Sequence, residues 1–310
     1  MQVGRYHVSG RARPFLSSVS GRLFDWRVLL HEFVPHEVRD AVHLALSSGT
    51  DEHFCSALLP IESFLSSEPD FLDGFDPDAS LNLDLANKPL PPPVRPKTFI
   101  CVGLNYIDHA QESKMEIPKQ PLLFSKSSNA LNGHNCEVIR PAISEQLDYE
   151  AELAIVIGRT CHGVDVQHAR EYIAGYTCAN DISARDFQFS DGQWYRGKSC
   201  DTFGPLGPWI VTPGDIPDDR SLRVQCRLNG KSMQDGTTRD MIFGVPELVA
   251  YVSTFITLQP GDVIATGTPP GVGFARKPPV YLQPGDCVEV EIENVGVLRN
   301  FVATAAERKP

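Results

Sequence analysis

The sequence predicts a mixed, β-rich α+β fold. Three observations carry that reading. Seven segments after residue 97 have strand composition. Only two stretches in the same part read as helices. The tight-turn motif LQPGD occurs twice, at 258–262 and 282–286, each time just before a strand-like run. Many strands with few helices argue for a mixed sheet rather than a doubly wound one.

The first part of the chain has its own pattern. GRYHVSG and GRLFDWRVL read as short strands or a hairpin. HEVRDAVHLALSS reads as a helix, because Val38, Val42 and Leu46 recur at i, i+4 and i+8. The acidic, Pro/Gly-punctuated SSEPDFLDGFDPDASLNLD reads as loop. KPLPPPVRPK, residues 88–97, packs five prolines into ten positions and reads as a stiff extended connector. The predicted organisation is a small N-terminal α+β domain over 1–87, a linker over 88–97 and a larger domain over 98–310.

After the linker, TFICVG, AELAIVIG, YIAGYTCAND, PWIVT, LRVQCRLNG, DVIATG and CVEVEIENVG are the predicted strands. In the last of these, Val288, Val290 and Ile292 alternate with Glu289, Glu291 and Glu293, which is the pattern of a half-buried strand. VQHAREYIAG and VPELVAYVSTFITL are the predicted helices. In the second, Leu248, Val249, Val252, Phe255 and Ile256 share a side, with Pro246 near the start.

Composition narrows the functional classes. A net charge of −11 and a pI near 5.3 argue against a nucleic-acid partner and against docking on an anionic membrane. No apolar run approaches the length of a membrane span, and the first residues lack the apolar core of a secretory signal. The eight cysteines are scattered without a C-x-x-C pair, so they read as reduced thiols, with Cys101 in an apolar run as a plain buried one. The expected location is cytoplasmic; the basic, Ser-containing start leaves organelle import open. TGTPPGVG, residues 266–273, is Gly-rich but has no phosphate-loop lysine, so no nucleotide site is read there.

The chemistry begins with DYEAELAIVIG, residues 148–158. On a strand, Ala151, Leu153, Ile155 and Ile157 line one face and Glu150 and Glu152 share the other with Ala154 and Val156. Two adjacent carboxylates need water, a basic side chain or a metal ion. A hard dication accepts oxygen ligands, and Asp181 in CANDISARD is the candidate third carboxylate. A solvated strand face bearing two glutamates is the alternative. In GLNYIDHAQE, His109 and Glu112 are three apart and share a face on a helical turn, where the carboxylate can orient the imidazole for general-base work. An exposed turn with an incidental pair is the plainer reading. Lys198, in RGKSCDTFGPLGP, and Lys126, in LLFSKSSNAL, can reach a substrate carboxylate or oxyanion, or are ordinary surface lysines.

Taken together, GLNYIDHAQE, DYEAELAIVIG, NDISARDFQ, GKSCDTFGPLGP and TGTPPGVG, in this order, resemble the fumarylacetoacetate hydrolase family over roughly residues 97–305. The resemblance implies a β-sandwich or β-roll catalytic domain, a homodimer, and one Mg²⁺ or Mn²⁺, with Ca²⁺ as a substitute. It implies Glu150, Glu152 and Asp181 as metal ligands, and His109 and Glu112 as a catalytic dyad with Lys198 supporting the oxyanion. Arg185, Gln188, Lys198 and Thr268 match substrate positions, and Lys126 joins them as a substrate candidate.

Family substrates share a 2-oxo acid unit, so a small 2-oxo or 2,4-diketo acid is the expected partner. The expected reaction is hydrolysis of an acylpyruvate C–C bond to pyruvate and a carboxylate, since a dyad suits water activation. The alternative is an oxaloacetate-type decarboxylase or a 2-oxo/2-hydroxy-dienoate isomerase (tautomerase) using the same metal–enolate chemistry. A catalytically idle oxo-acid-binding protein is a further class, and the intact residue set argues against it.

Overall fold

In a computed structural model, residues 1–8, 11–75, 81, 87–190, 192–216 and 218–305 are described. The predicted β-rich α+β class is what is found. Among the described residues, strands build a ten-stranded mixed sheet, a five-stranded sheet and a two-stranded ribbon. The large sheet runs in the order Leu23–Asp25, Arg11–Ser17, Gln2–Val8, Gly204–Val211, Ile173–Asn180, Ala151–Ile157, Val263–Ala265, Phe99–Gly103 and Leu122–Ser125. Leu131–Asn132 pairs in parallel with the start of Gly204–Val211. The smaller sheet is Lys231–Thr237, Arg223–Leu228, Cys287–Ile292, Gly296–Thr304 and Glu137–Arg140.

The central strand Ala151–Ile157 is buried at all seven positions, so both of its faces meet protein. Ala151, Leu153, Ile155 and Ile157 belong to the core that also holds Val224, Val288, Val290 and Ile292 of the smaller sheet. Ala154 and Val156 belong to a second core, shared with Val42, Phe54, Leu58 and Ile61 of the N-terminal helices. The period-2 reading assigns these six apolar residues to their layers correctly, whereas Glu150, expected on the strand, lies just before its first residue. The alternation in Cys287–Ile292 also holds, with the valines and Ile292 inside and the glutamates half-exposed.

The N-terminal hairpin is continuous with the large sheet, because Gln2 and Val3 pair with Val211 and Ile210. The helix predicted at HEVRDAVHLALSS spans His36–Ser48 and buries Val38, Val42 and Ala45; Leu46 is only partly buried. A further helix, Asp51–Ser67, was not read from the sequence; it carries Pro60 in its interior and is capped by Thr50, whose side chain accepts from His53 N. Of the predicted loop at 66–84, Ser66 and Ser67 instead end that helix and 68–75 form turns and bends, while 76–80 and 82–84 lie outside the described residues.

Two helix predictions are corrected. VQHAREYIAG forms only a short 3-10 turn, Ala169–Tyr172, with Ala169 alone buried; it lacks the apolar stripe that would hold a longer helix down. The other helix runs Val245–Ser253 and stops before Phe255, which is exposed. All eight cysteines are free, and burial pushes the Cys101 thiol well above its ordinary range. No helix among the described residues is long and apolar enough to cross a membrane.

Candidate active site

The antiparallel pairing of Ala151–Ile157 with Ile173–Asn180 builds the site. Ala179 faces Glu152 and Asn180 faces Ala151 across the ladder. Asp181 N then donates to Glu150 O at 3.0 Å, and Glu150 N donates to Asn180 Oδ1 at 3.0 Å. Two strand ends are thus locked so that Glu150, Glu152 and Asp181 converge. Each offers a carboxylate oxygen within 4.8 Å of the others, and all three are buried. The solvated-face alternative is excluded, since Glu152 is 1% exposed and Glu150 6%.

Cations surround this cluster. Lys198, at the end of the short helix Trp194–Lys198, places Nζ 2.8 Å from Glu150 Oε2 and 2.7 Å from Asp181 Oδ2. Arg185 reaches Glu150 Oε1 at 2.7 Å and Asp148 Oδ2 at 2.9 Å, and it donates to Gln188 Oε1 at 2.9 Å. Both are buried, so the surface-lysine reading of Lys198 fails. Lys126 is also buried, with Nζ 2.5 Å from Asp181 Oδ1, and it donates to Ile182 O at 3.1 Å and Lys198 O at 2.5 Å. Its ammonium is committed inside the protein. Unlike Lys198, Arg185, Gln188 and Thr268, Lys126 is not on the wall of the cavity over the site.

The carboxylates do not share the charge equally. Burial alone would raise the Glu150 pKa, but Lys198 and Arg185 outweigh it and hold Glu150 below the usual range. Burial, then Asp181 and Glu150, push Glu152 well above it. Glu152 accepts one hydrogen bond, from Gly267 N at 2.8 Å. Burial would lower the Lys198 pKa, but Asp181 and Glu150 outweigh it and keep it raised. Among the described residues, Arg185, Lys126 and Lys198 pair with Asp148, Glu150 and Asp181, leaving Glu152 as the one carboxyl of the four without a cationic partner. Three converging carboxyl groups, one of them without a cationic partner, are an oxygen donor set of the kind a hard divalent cation takes, so the residues fit such an ion.

His109 and Glu112 lie on the helix Ile107–Glu112, with His109 Nδ1 3.5 Å from Glu112 Oε2. Gly271 N donates to both Glu112 oxygens, at 3.2 and 3.0 Å. Burial works to raise the Glu112 pKa, and His109 and the Gly271 N–H override it, so Glu112 sits below its ordinary value. Thr268 Oγ1 donates to Ala151 O at 2.9 Å and accepts from Gln234 Nε2 at 2.7 Å, clamping the loop to the strand that carries Glu152.

The cavity has a volume of about 200 Å³. Its wall joins His109, Glu150, Glu152, Arg185, Gln188, Lys198 and Thr268 to an apolar side made by Met115, Phe124, Trp194 and Phe274. Sequence reasoning missed that apolar side, which comes from four separate segments. It also missed Asp148, which anchors Arg185 and accepts from Gly273 N at 2.7 Å and Phe274 N at 3.0 Å. The D-x-E-x-E spacing was the available signal.

Residues 98–303 match the family model for the fumarylacetoacetate hydrolase C-terminal domain. The chain belongs to the fumarylacetoacetate hydrolase family. Human mitochondrial oxaloacetate tautomerase FAHD2A is 38% identical over 95% of this chain and 99% of its own length. Among solved structures, the fumarylacetoacetate hydrolase of Exiguobacterium antarcticum shares 35% identity, covers 98% of this chain and 99% of its own, and superposes with a TM-score of 0.78. A 2-hydroxyhepta-2,4-diene-1,7-dioate isomerase from Mycobacterium marinum shares 41% identity over 70% of this chain and 79% of its own, with a TM-score of 0.62. These family members support an enzyme acting on a small molecule at a buried acidic site of the kind that binds a divalent metal.

Proposed function

We propose that this protein is a metal-dependent tautomerase of an oxaloacetate-type 2-oxo acid, with residues 98–310 carrying the chemistry and 1–87 buttressing it. The observation that carries the reading is one cavity wall bearing Glu150, Glu152, His109 and Lys198, backed by Asp181, which completes the acidic triad, and by Glu112, which pairs with His109. A bound Mg²⁺ or Mn²⁺ would supply Lewis-acid polarisation of the 2-oxo acid. His109, oriented by Glu112, takes the proton from C3 as the C2=C3 bond forms. Lys198 donates toward the 2-oxygen as it gains charge, and Arg185 with Gln188 orients the carboxylate. The reverse steps return the keto form.

Tautomerisation takes precedence over acylpyruvate hydrolysis on similarity. The relatives at 38% and 41% identity are named for a tautomerase and an isomerase, the one at 35% for a hydrolase. A homodimer in the cytoplasm or an organelle is the setting we propose.

The test follows enol absorbance of oxaloacetate with purified protein and Mg²⁺ or Mn²⁺, against EDTA controls, while total oxaloacetate and pyruvate are assayed. Metal-dependent enol–keto interconversion with oxaloacetate conserved is the expected result. Pyruvate and carbon dioxide released at the same rate would replace the reading with a decarboxylase. Cleavage of acetylpyruvate with no effect on oxaloacetate would restore the hydrolase.

A further inference from the structure

Ser113 lines the cavity, and its hydroxyl oxygen is shut off from solvent with no hydrogen-bond partner among the described residues. A buried hydroxyl left unpaired is costly, and such groups mark places where a ligand completes the bonding. Ser113 follows His109 by four residues, and its N–H donates to His109 O at 3.0 Å. It therefore stands on the His109 face, one helical turn (about 5.4 Å) further along.

The backbone is built to hold it there. Lys114 has φ +56°, a left-handed conformation that a non-glycine residue adopts at a cost. Lys114 N donates to Gln111 O at 3.0 Å and Met115 N to Ala110 O at 2.9 Å, closing the helix directly after Ser113. The turn sets both Ser113 and Met115 into the cavity wall. Rotation about χ1 carries the hydroxyl among three staggered positions, and donation to a bound molecule requires the one that faces the cavity.

We infer that Ser113 is a specificity residue that donates to an oxygen of the substrate's far end, one or two bonds beyond the carbon that His109 serves. In a four-carbon 2-oxo dicarboxylate that oxygen belongs to the second carboxylate. The inference rests on the tautomerase reading for the placement of the reacting carbon. No function of Ser113 follows from the acidic triad or the dyad.

Ligand binding tests this apart from turnover. Calorimetric titrations of the Mg²⁺-loaded full chain with oxalate and with malate compare a ligand that has only the chelating end with one that adds the distal carboxylate. Ser113→Ala should weaken malate about tenfold to a hundredfold, the range of a hydrogen bond to a charged group, while oxalate stays within about twofold. Ser113→Thr, which keeps the hydroxyl, should restore malate binding, which a merely structural role would not require. Equal losses for both ligands, no loss for either, or a wild type that gains nothing from the distal carboxylate would each overturn the inference. If the wild type shows the malate effect but does not interconvert oxaloacetate tautomers, the proposed function fails and the role of Ser113 stands.

Discussion

Lys126 Nζ lies 2.5 Å from Asp181 Oδ1 with both side chains sealed from water. The ammonium also donates to two backbone carbonyls, so none of its bonds points into the cavity. That arrangement suits a positioning role for Lys126 rather than the substrate contact expected from sequence. Lys126→Met should cost about 3–5 kcal/mol of stability, the range for removing one partner of a buried ion pair. Urea unfolding measures it. A cost below about 1 kcal/mol, with a raised KM, would return Lys126 to the substrate role expected from sequence.

Glu150 and Glu152 should answer differently to the same change. Glu150 accepts from both Arg185 and Lys198, so Glu150→Gln weakens two buried cation contacts and destabilises the metal-free protein. Glu152 has a raised pKa and no cation within ion-pair distance among the described residues, so Glu152→Gln imitates its neutral form. That variant should match or exceed wild-type stability in EDTA. At a dication concentration of about 100 Kd the wild type should gain about 2.7 kcal/mol and Glu152→Gln far less. Equal metal-induced stabilisation of both would remove Glu152 from the ligand set.

The same shift gives a pH signature. A folded-state pKa above the unfolded value, about 4.3 for glutamate, means that the native state binds the extra proton in that window. Metal-free stability from Glu152 is therefore lost as pH rises from about 4.3 through the raised value. His134 works the other way. Its pKa is lowered to about 4 by burial, then by Arg299, so its contribution is lost as pH falls below about 6.5. Melting curves of wild type and Glu152→Gln in EDTA separate the two, because the His134 slope is common to both. The difference between them should grow in favour of Glu152→Gln with rising pH. A constant difference would show that Glu152 does not titrate abnormally.

What was legible in the sequence follows from range. Strand alternation is local, so the split of Ala151, Leu153, Ile155 and Ile157 from Glu152, Ala154 and Val156 could be read directly. Burial on both faces could not, because it depends on the N-terminal helices and the second sheet arriving from distant segments. His109 and Glu112 share a helical face by spacing alone, whereas the Gly271 N–H that fixes Glu112 lies 159 residues away. The two lysines looked alike in sequence. Only the packing separates Lys198, on the cavity wall, from Lys126 behind it. Pro60 made Asp51–Ser67 a poor helix by propensity, and burial of Phe54, Leu58 and Ile61 overrides that.

The dyad itself is testable without touching metal or substrate ends. His109→Ala should lower kcat by about 10²–10⁴, the usual worth of a positioned general base, while oxalate affinity holds. Loss of oxalate binding in step with activity would instead make His109 a binding residue.

Gly271 offers the sharpest check on how that dyad is held. Its φ is +105°, and a Cβ added there would lie 2.3 Å from Met233 O, which is backbone and cannot give way cheaply. Its N–H is the donor to both Glu112 oxygens, and its carbonyl accepts from Tyr149 Oη at 3.2 Å and Arg276 Nε at 3.2 Å. Gly271→Ala should therefore push the loop away from Glu112 while leaving Glu150, Glu152 and Asp181 in place at the ends of the paired strands Ala151–Ile157 and Ile173–Asn180. The expected outcome is a loss of up to about 10² in kcat, the penalty of misplacing a catalytic group by roughly an ångström, with dication affinity retained. Calorimetric titration with Mn²⁺ beside the enol assay measures both. If metal affinity fell together with kcat, the loop would be supporting the acidic triad as well, and the dyad and the metal site would have to be treated as one mechanical unit.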